Sequence, residues 1–197
     1  PQYLKKAILL SVGTEATERA IKISRIYGST LSDDKNIIIG GDGNYHGKTL
    51  GAQMVGGQHS DKKWIGYSDP NMDHMPFPYP WVLEDFNGNG RDLFFCHLNA
   101  LEKKGVDLSR ISAFFVESFQ GWGAIFYPAD YIQAMREWSK SNNSLLVFDE
   151  IQAGFGRTGK FFAYEYYDVE PDLVICGKGI SGSVPLSAVL GSAELIE

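Results

Sequence analysis

Asp149 and Lys178 each close a short apolar run, Leu145 to Phe148 and Leu173 to Cys176, inside the stretch LLVFDEIQAGFGRTGKFFAYEYYDVEPDLVICGKGISG. Uninterrupted apolar runs of this length suit strands buried on both faces of a parallel sheet. Open α/β sheets bind ligands just beyond the carboxyl ends of such strands, so the acid and the amine are expected to face one crevice. Two readings fit that pairing. One is a buried ion pair; the other is a Schiff-base lysine with a carboxylate on the ring nitrogen of a cofactor.

Other positions bear on the choice. SVGTEATERAIKISRIYG places Gly13 and Thr14 at the start of a helix whose apolar seam is Ala16, Ala20, Ile23 and Tyr27, with Gly28 as its stop signal. A helix start of this kind is either an ordinary Thr14 cap or an anion site, because its first N–H groups lack intrahelical partners and carry the positive end of the dipole. Tyr45-His46-Gly47 falls in a loop after the strand expected at Asn36 to Ile39. There Tyr45 can stack on a flat ligand or pack in the core, and His46 is read more readily as a local hydrogen-bonding partner. Gly47-Lys48-Thr49 matches the end of a phosphate-binding P-loop, but the loop's first glycine falls on Asp42, a carboxylate that would repel its ligand, so a nucleotide hydrolase is the secondary reading. Asp85, Asn87, Asn89 and Gly90 imitate the opening of a calcium loop, yet Cys96 stands where the closing glutamate is required, and a tight Asn-Gly turn explains the segment better.

The elements that must position these residues alternate. Strands are expected at Ala7 to Leu10, Asn36 to Ile39, Ser112 to Val116, Leu145 to Phe148 and Leu173 to Cys176. Helices are expected between them, including Leu98 to Lys104 and one beginning at Pro128 with Tyr131, Met135 and Trp138 on its buried seam. The alternation predicts an α/β fold with a doubly wound, mostly parallel sheet and helices on both faces. From Gln58 to Asp92, four prolines alternate with aromatics, and the segment reads as a packed loop over an active site or a subunit contact. With 197 residues, 44% of them hydrophobic, the chain can bury the core of one domain. Its net charge of -6, without a basic stripe, argues against nucleic acid as a partner. No run reaches the ~18 to 20 apolar residues of a membrane span, no signal peptide is laid out at the start, and Cys96 and Cys176 match no metal spacing. A cytoplasmic protein with free thiols and no membrane partner is expected. Pro1 at the start and SAELIE at the end suggest a piece of a longer protein.

Taken together, SVGTEATERAIK, NYHGKTLGA, VESFQGWGA, FDEIQAGFGRTG and GKGISGSVPLSAVLG resemble, in order, the motifs of the class III (omega) aminotransferases of fold type I. The resemblance spans the chain and implies pyridoxal 5'-phosphate as the cofactor. It implies that Lys178 carries the cofactor as an aldimine and shuttles a proton, that Asp149 keeps the pyridine nitrogen protonated, and that Gln152 donates to the phenolic oxygen. It places Tyr45 over the ring with His46 beside it, Gly13 and Thr14 on the phosphate, and Glu117 as an acid behind the ring, near Asp149. The implied activity is transfer of an amino group from an ω-amine or amino acid to a 2-oxo acid; aminomutase and decarboxylase reactions use the same lysine and aspartate. Residues 1–197 would then be an incomplete cofactor-binding large domain of a homodimer, without the amino-terminal segment and the small carboxyl-terminal domain. Three positions depart from the family pattern. Val12 replaces a common serine, Ser118 replaces a common proline with little obvious consequence, and Trp122 replaces a frequent glutamate in a way that bears on substrate choice.

Overall fold

A computed structural model describes residues 2–197, so Pro1, and with it the reading of the chain's start, lies outside the described residues. Seven strands form one sheet: β1 (Lys6–Leu10), β2 (Ile37–Gly41), β3 (Met72–Met75), β4 (Ile111–Glu117), β7 (Leu145–Asp149), β8 (Leu173–Cys176) and β9 (Ser187–Gly191), in the order β1-β9-β8-β7-β4-β2-β3. Only β9 runs against the others. Between β4 and β7 the chain forms a small antiparallel ribbon, β5 (Phe119–Gln120) with β6 (Ile125–Phe126). The mostly parallel α/β sheet expected from the alternation is the one found.

The apolar strands are buried on both sides because the sheet is covered on both sides. Helix α1 (Gly13–Leu31) presses Ala16, Ala20 and Ile23 against Ile38, Ala113, Phe115, Val147 and Ile175. On the opposite face, α4 (Gly90–Lys103) and α5 (Ala129–Ser141) contribute Phe94, Leu98, Tyr131 and Met135 to a larger core with Phe114, Leu146 and Phe148. The period of two along a strand assigns each side chain to a layer. In β7, Leu145 and Val147 face α1 while Leu146 and Phe148 face α5, so Asp149 emerges on the α1 side.

Several boundaries differ from those expected. Helix α1 passes through Gly28 to Leu31; Gly28 is there for close approach, since a Cβ on it would lie 1.8 Å from the carbonyl oxygen of Lys35. Helix α4 starts at Gly90, eight residues before Leu98, because Asn89 caps it by accepting the N–H of Asp92. The stretch from Gln58 to Asp92 is a packed, aromatic-rich connection, but it carries secondary structure: a 3-10 turn (His59–Ile65), β3 and the five-residue α3 (Pro80–Glu84). Strand β3 escapes the periodicity test because it is a four-residue edge strand pairing only with β2. No described helix is long and apolar enough to cross a membrane.

Candidate active site

The carboxyl ends of the parallel strands, with the start of α1, enclose a cavity of about 560 Å³. All eight residues singled out from the sequence line it: Gly13, Thr14, Tyr45, His46, Glu117, Asp149, Gln152 and Lys178. They arrive from five separate segments, which end or follow β1, β2, β4, β7 and β8. The chain winds outward from β2 to β3 and then returns past β2 to β4, so the crevice lies at the reversal of strand order, where this architecture leaves space for a ligand.

Asp149 is buried and fully engaged. Its Oδ1 accepts the N–H of Ile151 at 2.9 Å, and its Oδ2 lies 2.8 Å from Nδ1 of His46. The His46 ring meets Phe115 edge-on, and the His46 carbonyl accepts the Thr17 hydroxyl at 2.8 Å. Its Nε2 is buried without a hydrogen-bond partner, a rare condition for a polar atom at a cavity wall. Glu117 sits beside Asp149 because β4 and β7 pair in register at these two residues. Its carboxylate accepts the N–H of Tyr45 at 3.1 Å and of Gly121 at 3.3 Å. Burial pushes the Glu117 carboxyl up to about 7, the Asp149 charge adds to the rise, and His46 opposes it. Glu117 also lines the cavity.

At the other end, Gly13 opens α1 against Ile151; a Cβ there would fall 2.7 Å from the Ile151 side chain. The cap is Val12, and Glu15 reaches back to the N–H groups of Ser11 and Val12, while Thr14 shares a 2.8 Å hydrogen bond with the Thr49 hydroxyl. Thr14 is thus not the helix cap. Gly47, at φ 130°, lets the loop run against Thr14. Lys178 is exposed to the cavity and has φ 42°, an uncommon left-handed conformation for a residue with a side chain. Strain of this kind persists only where the surrounding structure enforces it.

The whole sequence, residues 1–197, matches the family model for class-III aminotransferases. The chain belongs to the class-III aminotransferase family. An acetylornithine aminotransferase from Synechocystis is 35% identical over 186 residues, covering 90% of this chain and 39% of the relative. An (S)-enantioselective omega-transaminase from Thermomicrobium roseum superposes with a TM-score of 0.86 at 32% identity, over 99% of this chain and 44% of that one. An amine transaminase from an uncultivated Pseudomonas species, solved in a form bound to pyridoxal phosphate, gives 0.84 at 27% identity, over 98% and 45%. The chain therefore spans well under half the length of these class-III relatives.

Two further polar side chains of this aminotransferase-family cavity were not assigned to it from the sequence, Lys48 and Gln58. Lys48 belongs to the imperfect P-loop match and Gln58 to the stretch without periodicity. Nothing local marks either residue; both reach the cavity because the loop after β2 folds back toward α1 through the Thr14–Thr49 contact.

Proposed function

We propose that the cavity holds pyridoxal 5'-phosphate and that the protein to which this chain belongs is a transaminase, moving an amino group from a small amine or amino acid to a 2-oxo acid. The observation carrying this is the convergence of an amine, a buried carboxylate and a helix start on one cavity, in Lys178, Asp149 and Gly13–Thr14. The donor set fits the group. The first N–H groups of the 19-residue α1, with the Thr14 hydroxyl, suit a phosphate. Asp149 suits a protonated ring nitrogen, and the unpartnered Nε2 of His46 leaves a polar atom for the bound molecule. Tyr45, 44% exposed on the cavity wall, offers a flat ring to stack.

When bound, the cofactor supplies an electron sink for the bonds at the carbon bearing the donor's amine. Lys178 would hold it through Nζ and would serve as the base for the proton on that carbon. Asp149, oriented by His46 and the Ile151 N–H, would present its carboxylate to the ring nitrogen. Gln152 would donate toward the ring's oxygen substituent, and Glu117, raised to about 7 by burial, would adjust the charge beside Asp149. The donor leaves as a carbonyl compound and the acceptor takes up the nitrogen, so amine and carbonyl are exchanged without net oxidation. The name of the omega-transaminase relative supports a donor whose amine is remote from any carboxylate. Residues 1–197 are read as the cofactor-binding part of a homodimer, and the free thiols Cys96 and Cys176 suit a cytoplasmic setting.

The test is spectroscopic. The full-length protein mixed with pyridoxal phosphate should develop a visible absorption band, and borohydride should fix the cofactor to the peptide containing Lys178. Labelling elsewhere, or an unchanged band in Lys178→Ala, would refute the assignment.

A further inference from the structure

The residues immediately after the two cavity acids, Ser118 after Glu117 and Glu150 after Asp149, face away from the cavity, and both are fully buried. There they meet: the Ser118 hydroxyl donates to Glu150 Oε1 at 2.5 Å. The same carboxylate accepts the N–H of Tyr164 at 2.8 Å and of Ala163 at 3.0 Å. None of its three donors is a cation. An anion so buried is held by hydrogen bonds alone, and burial raises its carboxyl to about 7. The Ser118 carbonyl accepts the hydroxyl of Tyr167, whose oxygen in turn accepts the N–H of Tyr127 at 3.2 Å. Strand ends β4 and β7 are thereby tied to each other and to the segment Ala163–Tyr167 behind the sheet. Ser118, which looked inconsequential in the sequence, makes a link to Glu150 that a proline at that position would lack.

We propose that the Ser118–Glu150 pair is a positioning clamp, which sets from the far face of the sheet how Glu117 and Asp149 are presented to the cofactor. This rests on the cofactor reading given above. Ser118 and Glu150 touch neither the cavity nor the reacting atoms. They act through the register of Glu117 against Asp149, where a shift of the strand ends changes the spacing of two carboxylates and a histidine.

The test uses the full-length enzyme loaded with pyridoxal phosphate. The readouts are cofactor affinity, the midpoint of the pH titration of the Lys178-dependent visible band, and the melting temperature. Ser118→Ala and Glu150→Gln should weaken cofactor binding roughly three- to tenfold. Both should raise the spectral midpoint by about half a pH unit, since a ring nitrogen held less firmly withdraws less charge from the Lys178 nitrogen. Ser139→Ala removes an equally buried hydroxyl whose only role is a bond to the Met135 carbonyl. That variant should lower the melting temperature and move neither cofactor readout. Should Glu150→Gln fail to fold, Ser118→Ala decides alone. A Ser118→Ala protein that melts earlier yet keeps the wild-type affinity and midpoint overturns the clamp. Absence of any Lys178-dependent band in wild type overturns instead the cofactor reading beneath it.

Discussion

His46 and Asp149 are 103 residues apart in the chain, and their side chains meet at 2.8 Å with both groups removed from solvent. The contact closes the cavity floor, with Asp149 delivered by β7 and His46 by the loop after β2. One Asp149 oxygen is fixed by His46 and the other by the backbone of Ile151, so the carboxylate is oriented before any ligand arrives.

Replacing Asp149 by Asn preserves the shape and removes the charge. Turnover of the loaded full-length enzyme should fall by about 10²-fold or more, because the charge is of use only while electrons flow toward the ring. Steady-state rates with a fixed donor check this; near-normal turnover would exclude the electrostatic role.

Glu117 supplies a pH signature. Its folded carboxyl is raised to about 7 from an ordinary 4.5, so the folded state binds the extra proton between these values. Its contribution to stability is fully present below about 4.5 and is lost as pH rises through about 7. Relative to Glu117→Gln, wild type should therefore gain stability as pH falls across that window, by about 3 kcal/mol. His74 and His97, each lowered to about 4 by burial, change stability in the opposite sense between about 4 and 6.5. Denaturation must thus be compared between the two proteins at each pH, and a pH-independent difference would contradict the assignment.

Gly47→Ala should damage the anion end of the cavity. The residue has φ 130°, and a Cβ would fall 2.3 Å from the Thr14 hydroxyl and 2.7 Å from its Cβ. Strain and clash together should cost about 1 to 3 kcal/mol of stability and weaken cofactor binding by about tenfold. Calorimetry and a binding titration would measure both effects. Unchanged affinity would mean that Thr14 does not contribute to the phosphate site.

Trp122 stands 65% exposed on the turn between β5 and β6, at the wall of the cavity. An indole offers a broad apolar surface and one N–H, and it cannot pair with a cation as a carboxylate would. The expected preference is for an ω-amine donor with a small acceptor such as pyruvate over 2-oxoglutarate. Half-reactions with L-alanine and L-glutamate, followed by loss of the visible band, should favour alanine in wild type and shift toward glutamate or lose selectivity in Trp122→Glu. A preference for L-glutamate that survives the substitution would remove Trp122 from donor choice.

By itself, the sequence determined the parallel core strands and marked the strand ends and the helix start from which cavity residues come. Apolar runs of four or five residues can hardly be anything but buried strands when turns and helical seams flank them, and the charged residue ending each run must then emerge at the sheet's carboxyl edge. Asp149 and Lys178 were legible for that reason, and Gly13 and Thr14 because a helix start is local chemistry. Tertiary structure alone decided what pairs across the chain. The contact of His46 with Asp149, the Ser118–Glu150 link, the presence of Lys48 at the cavity and the through-passage of Gly28 all depend on segments brought together by closure of the sheet. Strand β9 is likewise defined by its antiparallel partners β1 and β8, and β3 by the edge of β2. Periodicity reports which face of an element is buried; the neighbour that buries it is set by the packing of the whole chain.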